Sequence, residues 1–217
     1  IGRTQEIVYI LNNFYNEGKL PLIPIYVDSP LAVNATNIFR LHLDLFNKDV
    51  AEVLEHDDDP FGFGTLKYIT NVNHSKALNA RKEPCIIISA SGMMEAGRVK
   101  HHIANNIDNP KNSILAIGYC APATLGARIF SGDREVSIHG MPHQVNAEIF
   151  SIDAFSGHAD YQEMEQYLRC QNPEKVKKVF IVHGDYEAQV PYSKVLEKAG
   201  FKDIVIPKPG ETFKIEN

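Results

Sequence analysis

No pair of cysteines here has the spacing of a metal knuckle or a disulfide framework; Cys85, Cys120 and Cys170 are scattered and odd in number. That points to a reducing compartment and argues against both a cysteine zinc site and a disulfide-stapled scaffold. No apolar run approaches the roughly 18 residues that span a bilayer, and no secretory leader is visible. A cytoplasmic protein without membrane contact is therefore expected. Positive charge is not in excess either: the net charge is −5. This weighs against broad non-specific binding to nucleic acid, although a narrow cleft needs only a local patch. The P-loop and G-x-G-x-x-G signatures are missing, and Phe61-Gly62-Phe63-Gly64 has no strand before it and no third glycine after it. A nucleotide-binding module is accordingly the weakest reading. H-x-H-x-D-H and H-E-x-x-H are missing as well, so the residues alone do not complete a zinc site.

What is present is an ordinary globular composition, 44% hydrophobic and 23% charged over 217 residues, enough for one large domain or one domain and a smaller lobe. Ile7, Leu11 and Phe14 recur at helical spacing in residues 3–17, and Gly18 is a natural stop. A short strand is expected over 22–27. Ser29-Pro30 then opens a helix through residue 46, with proline suited to the first helical position. A helical piece at 47–55 precedes Glu55 to Thr65, which reads as a flexible loop.

From there strand and helix alternate. Strands are expected at 66–70, 84–90, 113–119, 177–184 and 203–207, with helices at 73–81, 98–107, 124–130, 159–170 and 186–200. Residues 134–140 and 144–150 look hairpin-like. The runs CIIIS, ILAIG and VFIVH are apolar on successive residues, which predicts strands covered on both faces. The fold class is α/β, with a mostly parallel sheet flanked by helices.

Ligands in such sheets gather beyond the carboxyl ends of the strands. That rule selects Asp28 to Pro30, Ser89 to Gly97, Tyr119 to Gly126 and His183 to Asp185, which would line one cleft if they share an edge. In Ser89-Ala90-Ser91-Gly92-Met93-Met94, small residues let a backbone approach a ligand, and free amides beside a helix start favour an anion. Arg98, Lys100, His101 and His102 follow on that helix as a source of positive charge. A plain tight turn with a solvated basic helix face explains the same pattern.

His158, in Ser156-Gly157-His158-Ala159-Asp160, stands at a helix start, where an accessible imidazole can titrate near neutrality as a general acid must. His183, in Val182-His183-Gly184-Asp185, stands where a strand ends and can ligate a metal. Taken singly, each reads first as a capping or structural histidine. His42, His56, His74, His139 and His143 have no partner at metal spacing and read as surface residues. Cys85 and Cys120 read as small core residues.

Together these pieces resemble the β-CASP family of metallo-β-lactamase-fold nucleases. The resemblance is carried by Arg3-Thr4-Gln5-Glu6, Tyr26-Val27-Asp28-Ser29-Pro30-Leu31-Ala32, Ser89 to Met94 with Gly97-Arg98, Gly118-Tyr119 with Thr124-Leu125-Gly126, Ser156 to Asp160, and Val182 to Asp185. They stand in the family's order and cover almost the whole chain. The resemblance implies that residues 1–154 are the β-CASP domain, inserted in a lactamase fold, and that 155–217 are the returning C-terminal portion of that fold.

It further implies that His158 is the motif B histidine, which protonates the leaving oxygen or stabilises the scissile phosphate, and that His183 is the motif C zinc ligand. A histidine at motif C resembles the RNA-processing branch; the DNA-processing branch carries valine. Ser89, Ser91, Gly92, Met93, Arg98, Ser156 and Gly157 would then contact RNA or its phosphates, with Asp28, Asp160 and Asp185 supporting. One departure is Cys120-Ala121-Pro122-Ala123, where relatives often have Gln and a glycine.

The remaining metal ligands would lie before Ile1, and the absence of an initial methionine reads as an internal cut. The intact protein is then expected to be a ribonuclease that uses two zinc ions on single-stranded RNA. This piece, its clamping lid, would need the N-terminal lactamase half as partner and would neither hold zinc tightly nor cleave alone. A homodimer is a further candidate assembly. The alternative is a non-catalytic RNA-binding homologue or subunit of a processing complex.

Overall fold

The computed structural model describes residues 2–152 and 158–214. The chain divides into two compact units, Ile1–Phe155 and Ser156–Asn217.

In the first unit, α1 (Arg3–Asn16) places Val8 in a core with Val27, Ala32 and Phe61. Beside it runs β1 (Ile25–Asp28), every residue of which is buried. Ser29 caps α2 (Pro30–Leu41), its hydroxyl accepting from the Ala32 amide at 3.3 Å. That helix stops at Leu41 instead of running to residue 46. Leu41 and Leu45 are both 77% exposed, and the chain continues as a 3-10 turn at Leu43–Leu45 that packs Leu43 and Phe46 against the core. After α3 (Lys48–Leu54), β2 (Leu66–Ile69), α4 (Val72–Asn79) and β3 (Ile86–Ile88) complete a parallel sheet in the order β2-β1-β3.

The loop between α3 and β2 is not the free excursion that its composition suggests. Asn12 donates to Asp57 at 2.5 Å, Arg40 forks onto Asp59 at 2.7 and 2.9 Å, and Phe61 is buried.

A second core lies under α5 (Arg98–Asn106), β4 (Ser113–Ile117) and α6 (Leu125–Phe130). It gathers Ile103, Ile107, Ala116, Ile129, Val136 and Ile138. The hairpin pairs β5 (Glu135–Ile138) with β6 (Met141–Gln144) around His139-Gly140, both at positive φ. Such a two-residue turn fixes the register, and so β7 (Glu148–Ile152) is released from the expected hairpin and pairs parallel to β4. Among the described residues this small sheet is covered on one face only. Ile114, Ala116 and Ile149 point into the core, whereas Leu115 and Phe150, partners across the ladder, remain 48% and 47% exposed.

The second unit holds α7 (Tyr161–Arg169), β8 (Val179–Phe180), α8 (Tyr186–Lys198) and β9 (Ile204–Val205). Strand β8 pairs parallel to β9 and is far shorter than the expected 177–184; the chain turns at His183 and Gly184. Ile181, Leu196 and Phe201 form the unit's core. No helix among the described residues is long and apolar enough to cross a membrane.

Candidate RNA-contacting edge and catalytic histidines

The carboxyl end of the β2-β1-β3 sheet is organised by one buried carboxylate. Asp28, last residue of β1 and fully buried, accepts from Ser75 Oγ at 2.5 Å and from Arg98 Nη1 at 2.5 Å. Its other neighbour is His102, whose Nε2 lies 2.7 Å from Asp28 Oδ2 and donates, since an ionised carboxylate only accepts. The His102 Nδ1 faces the Asn79 side-chain amide at 2.7 Å. Burial pushes the Asp28 carboxyl up, but the Ser75, Arg98 and His102 hydrogen bonds and the guanidinium charge more than offset this, holding it below the usual range.

Ser75 and Asn79 sit four apart on α4, and Arg98 and His102 four apart on α5, so each helix presents one face to the same carboxylate. The solvated basic face expected of α5 is thus half turned inward. Arg98 also donates to the carbonyls of Ile69 and Thr70 and so ties the end of β2 to α5. Its charge is spent within the protein, where the sequence suggested a contact to substrate.

The turn from Ser89 to Gly97 is fixed at both ends. Ser89 Oγ donates to the Asp28 carbonyl at 2.8 Å, and the Val99 amide to Ala90 O at 3.3 Å. Gly97 has φ 81° and ψ −174°, and a Cβ there would meet Ala90 O at 2.3 Å, so only glycine fits. Ser91 is half-buried, its amide bonded to Ala96 O at 3.2 Å, while Met94 is buried in the second core. Gly92 and Met93 are exposed. Neither of their amides bonds to any described residue.

The segment after β4 docks on this turn. Cys120 Sγ donates to Gly92 O at 3.4 Å, the Gly126 amide to Met93 O at 3.1 Å, and the Leu125 amide to the Glu95 carboxylate. Cys120 is half-buried at this contact, as Cys85 is in its own surroundings. Arg3 reaches across to the carbonyl of Ile117 at 3.1 Å and lies over Gly118. Three of the four turns selected from the sequence therefore share one edge: Asp28 to Pro30, Ser89 to Gly97, and Tyr119 to Gly126. The fourth, His183 to Asp185, belongs to the other unit.

In that unit His183 is exposed at the end of the β8 segment. Its φ of 67° and the 97° of Gly184 reverse the chain, and its carbonyl accepts from Gln189 Nε2 at 3.2 Å. Asp185 is the N-cap position of α8 without a capping side-chain bond. His158 is exposed just ahead of α7. Asp160 caps that helix, accepting from the amides of Gln162 and Glu163 at 2.8 and 2.9 Å, while Glu163 accepts from the Asp160 amide at 3.0 Å. Ser156 and Gly157 lie outside the described residues. Among the described residues no group of three His, Cys, Asp or Glu side chains is placed to hold a metal. His183 fits a single corner of a zinc site, contributed from an exposed turn.

Of the other histidines, His139 stacks on His101 with ring centroids 4.5 Å apart. His143, expected at the surface, is partly buried and bonds Asp108 at 2.8 Å. Sequence reading missed Ser75 and Asn79 and took His102 only as a source of positive charge, although the paired four-residue spacings on α4 and α5 were there to be noticed.

Residues 4–129 match the family model described as the Beta-Casp domain. The chain belongs to the β-CASP family. Residues 142–207 match a second model, the Zn-dependent metallo-hydrolase RNA specificity domain. Among curated proteins the chain is similar to Ribonuclease TTHA0252 of Thermus thermophilus, 30% identical over 97% of this chain and 47% of that protein. It is 31% identical to an RNase J-like protein of Methanocaldococcus jannaschii, over 99% of this chain and 48% of the relative. It is also 31% identical to Transcription termination factor FttA of Thermococcus kodakarensis, over 91% of this chain and 31% of that factor. This β-CASP chain thus spans about half the length of the first two of these relatives and less of the termination factor.

Proposed function

We propose that this chain is the substrate-contacting part of a longer, cytoplasmic, zinc-dependent phosphodiesterase that cleaves single-stranded RNA. Residues 1–154 act as the RNA-clamping insert and 155–217 as the returning portion of the lactamase fold. The observation that carries the reading is the succession, in one chain, of a Beta-Casp domain and an RNA specificity domain of zinc metallo-hydrolases. The geometry supports it: Gly92 and Met93, exposed residues whose amides bond to no described residue, sit on a turn held by Asp28, Gly97 and Cys120. Preorganised backbone donors of this kind suit a phosphate oxygen.

In this scheme Ser89 and Arg98 position the turn, Gly92 and Met93 meet the strand, and Ser91, Ser156 and Gly157 complete the contact surface. His158 delivers a proton to the leaving oxygen, and Asp160 fixes the helix start beside it. His183 is the ligand that this chain contributes to zinc, with Asp185 next to it. Bound zinc would activate water and neutralise charge on the phosphate.

A second reading is a non-catalytic RNA-binding subunit, since a match to an RNA specificity domain speaks for RNA contact and not for cleavage. The full-length protein separates the two. Cleavage of end-labelled single-stranded RNA that stops on chelation and returns with added zinc is the expected result. RNA binding without cleavage at any zinc concentration would favour the subunit.

A further inference from the structure

We propose that Tyr119 is a base-stacking residue that holds one nucleotide of the RNA at the edge described above; the inference rests on the RNA reading and adds a specific contact to it. Tyr119 is 68% exposed. Its ring makes no aromatic or cation–π contact, and its hydroxyl no hydrogen bond, with any described residue. Yet the backbone that carries it is anchored on both sides. The Gly118 amide donates to Ile152 O at 2.8 Å and Arg3 lies over Gly118, while Cys120 donates to Gly92 O at 3.4 Å. On such a backbone binding need not order the main chain, and a tyrosine has only two side-chain torsions to fix.

What lies beside it names the ligand. The Cys120 bond brings this loop against Gly92, whose amide and that of Met93 bond to no described residue, and Met93 itself is 41% exposed. An aromatic face for a base next to backbone donors for a phosphate is the recognition pattern of a single-stranded nucleotide; paired bases in a duplex cannot offer that face. Because every base has a π-face, this contact confers little sequence preference.

The test uses the full-length protein and a short fluorescent single-stranded oligoadenylate with non-cleavable linkages. Tyr119→Ala is expected to weaken binding about tenfold, and Tyr119→Phe to bind as wild type does. A series of oligonucleotides with one abasic position moved along the strand should contain a member that loses a similar factor with wild type and nothing further with Tyr119→Ala. Unchanged binding by Tyr119→Ala, or an undiminished loss on every abasic strand, contradicts the stacking role alone. Wild-type protein that does not bind the oligonucleotide contradicts the RNA reading, and this inference with it.

Discussion

Asp28→Asn should destabilise the first unit by about 3–5 kcal/mol, the cost of leaving the enclosed Arg98 charge unpaired and of turning one accepting oxygen into a donor against donors. Three side chains converge on that carboxylate: Ser75, Arg98 and His102. Arg98 is largely enclosed and His102 is buried, so neither can recover its bonds from solvent without moving α5. Denaturant unfolding followed by circular dichroism measures the loss. The acid side of the stability profile provides a second readout. A carboxyl whose folded pKa is depressed contributes stability above its unfolded value near pH 4, and that contribution disappears as pH falls through the folded value. Wild type should therefore lose stability in strongly acidic solution through a component that Asp28→Asn lacks. A variant as stable as wild type, with the same acid limb, would remove Asp28 from the centre of this architecture.

His158→Ala should slow RNA cleavage by the full-length protein by a factor of about 10² to 10⁴, the usual worth of a positioned general acid. The reasoning is chemical. The departing oxygen of a phosphodiester is a poor leaving group until protonated, and His158 stands exposed at the start of α7 on a segment that Asp160 anchors by its capping bonds. RNA binding and zinc content should stay close to wild type, which separates loss of the acid from loss of fold. An RNA with an activated leaving group needs less protonation and should recover part of the lost rate. If His158→Ala is equally slow on both substrates, the proton-donor role is wrong.

How far these features could be read in advance depended on whether their cause was local. The strand–turn–helix alternation was legible because Ser29-Pro30, Gly97 and Thr124 mark helix starts by their own chemistry. The limits of β8 were not, since VFIVH is apolar throughout and nothing in it announces that His183 and Gly184 turn the chain. Likewise the apolar run ILAIG suggested a strand covered twice. Only the pairing of β4 with β7, set by a two-residue turn some twenty residues later, reveals the uncovered Leu115 and Phe150. The candidate site divides in the same way. The Ser89 to Gly97 turn announced itself through small residues after a strand. The inward commitment of Arg98 did not, because its partner Asp28 is 70 positions away. A basic residue near a glycine-rich turn resembles a phosphate ligand until the carboxylate that claims it is located.

The central claim is that the turn after β8 supplies a zinc ligand to an RNA-cleaving centre. Its most direct test is to measure bound zinc and single-stranded RNA cleavage together in full-length wild type, His183→Ala and His56→Ala, the last an exposed histidine on the other unit. The account predicts that His183→Ala alone loses both metal and cleavage. Full zinc occupancy and undiminished cleavage in His183→Ala would contradict it.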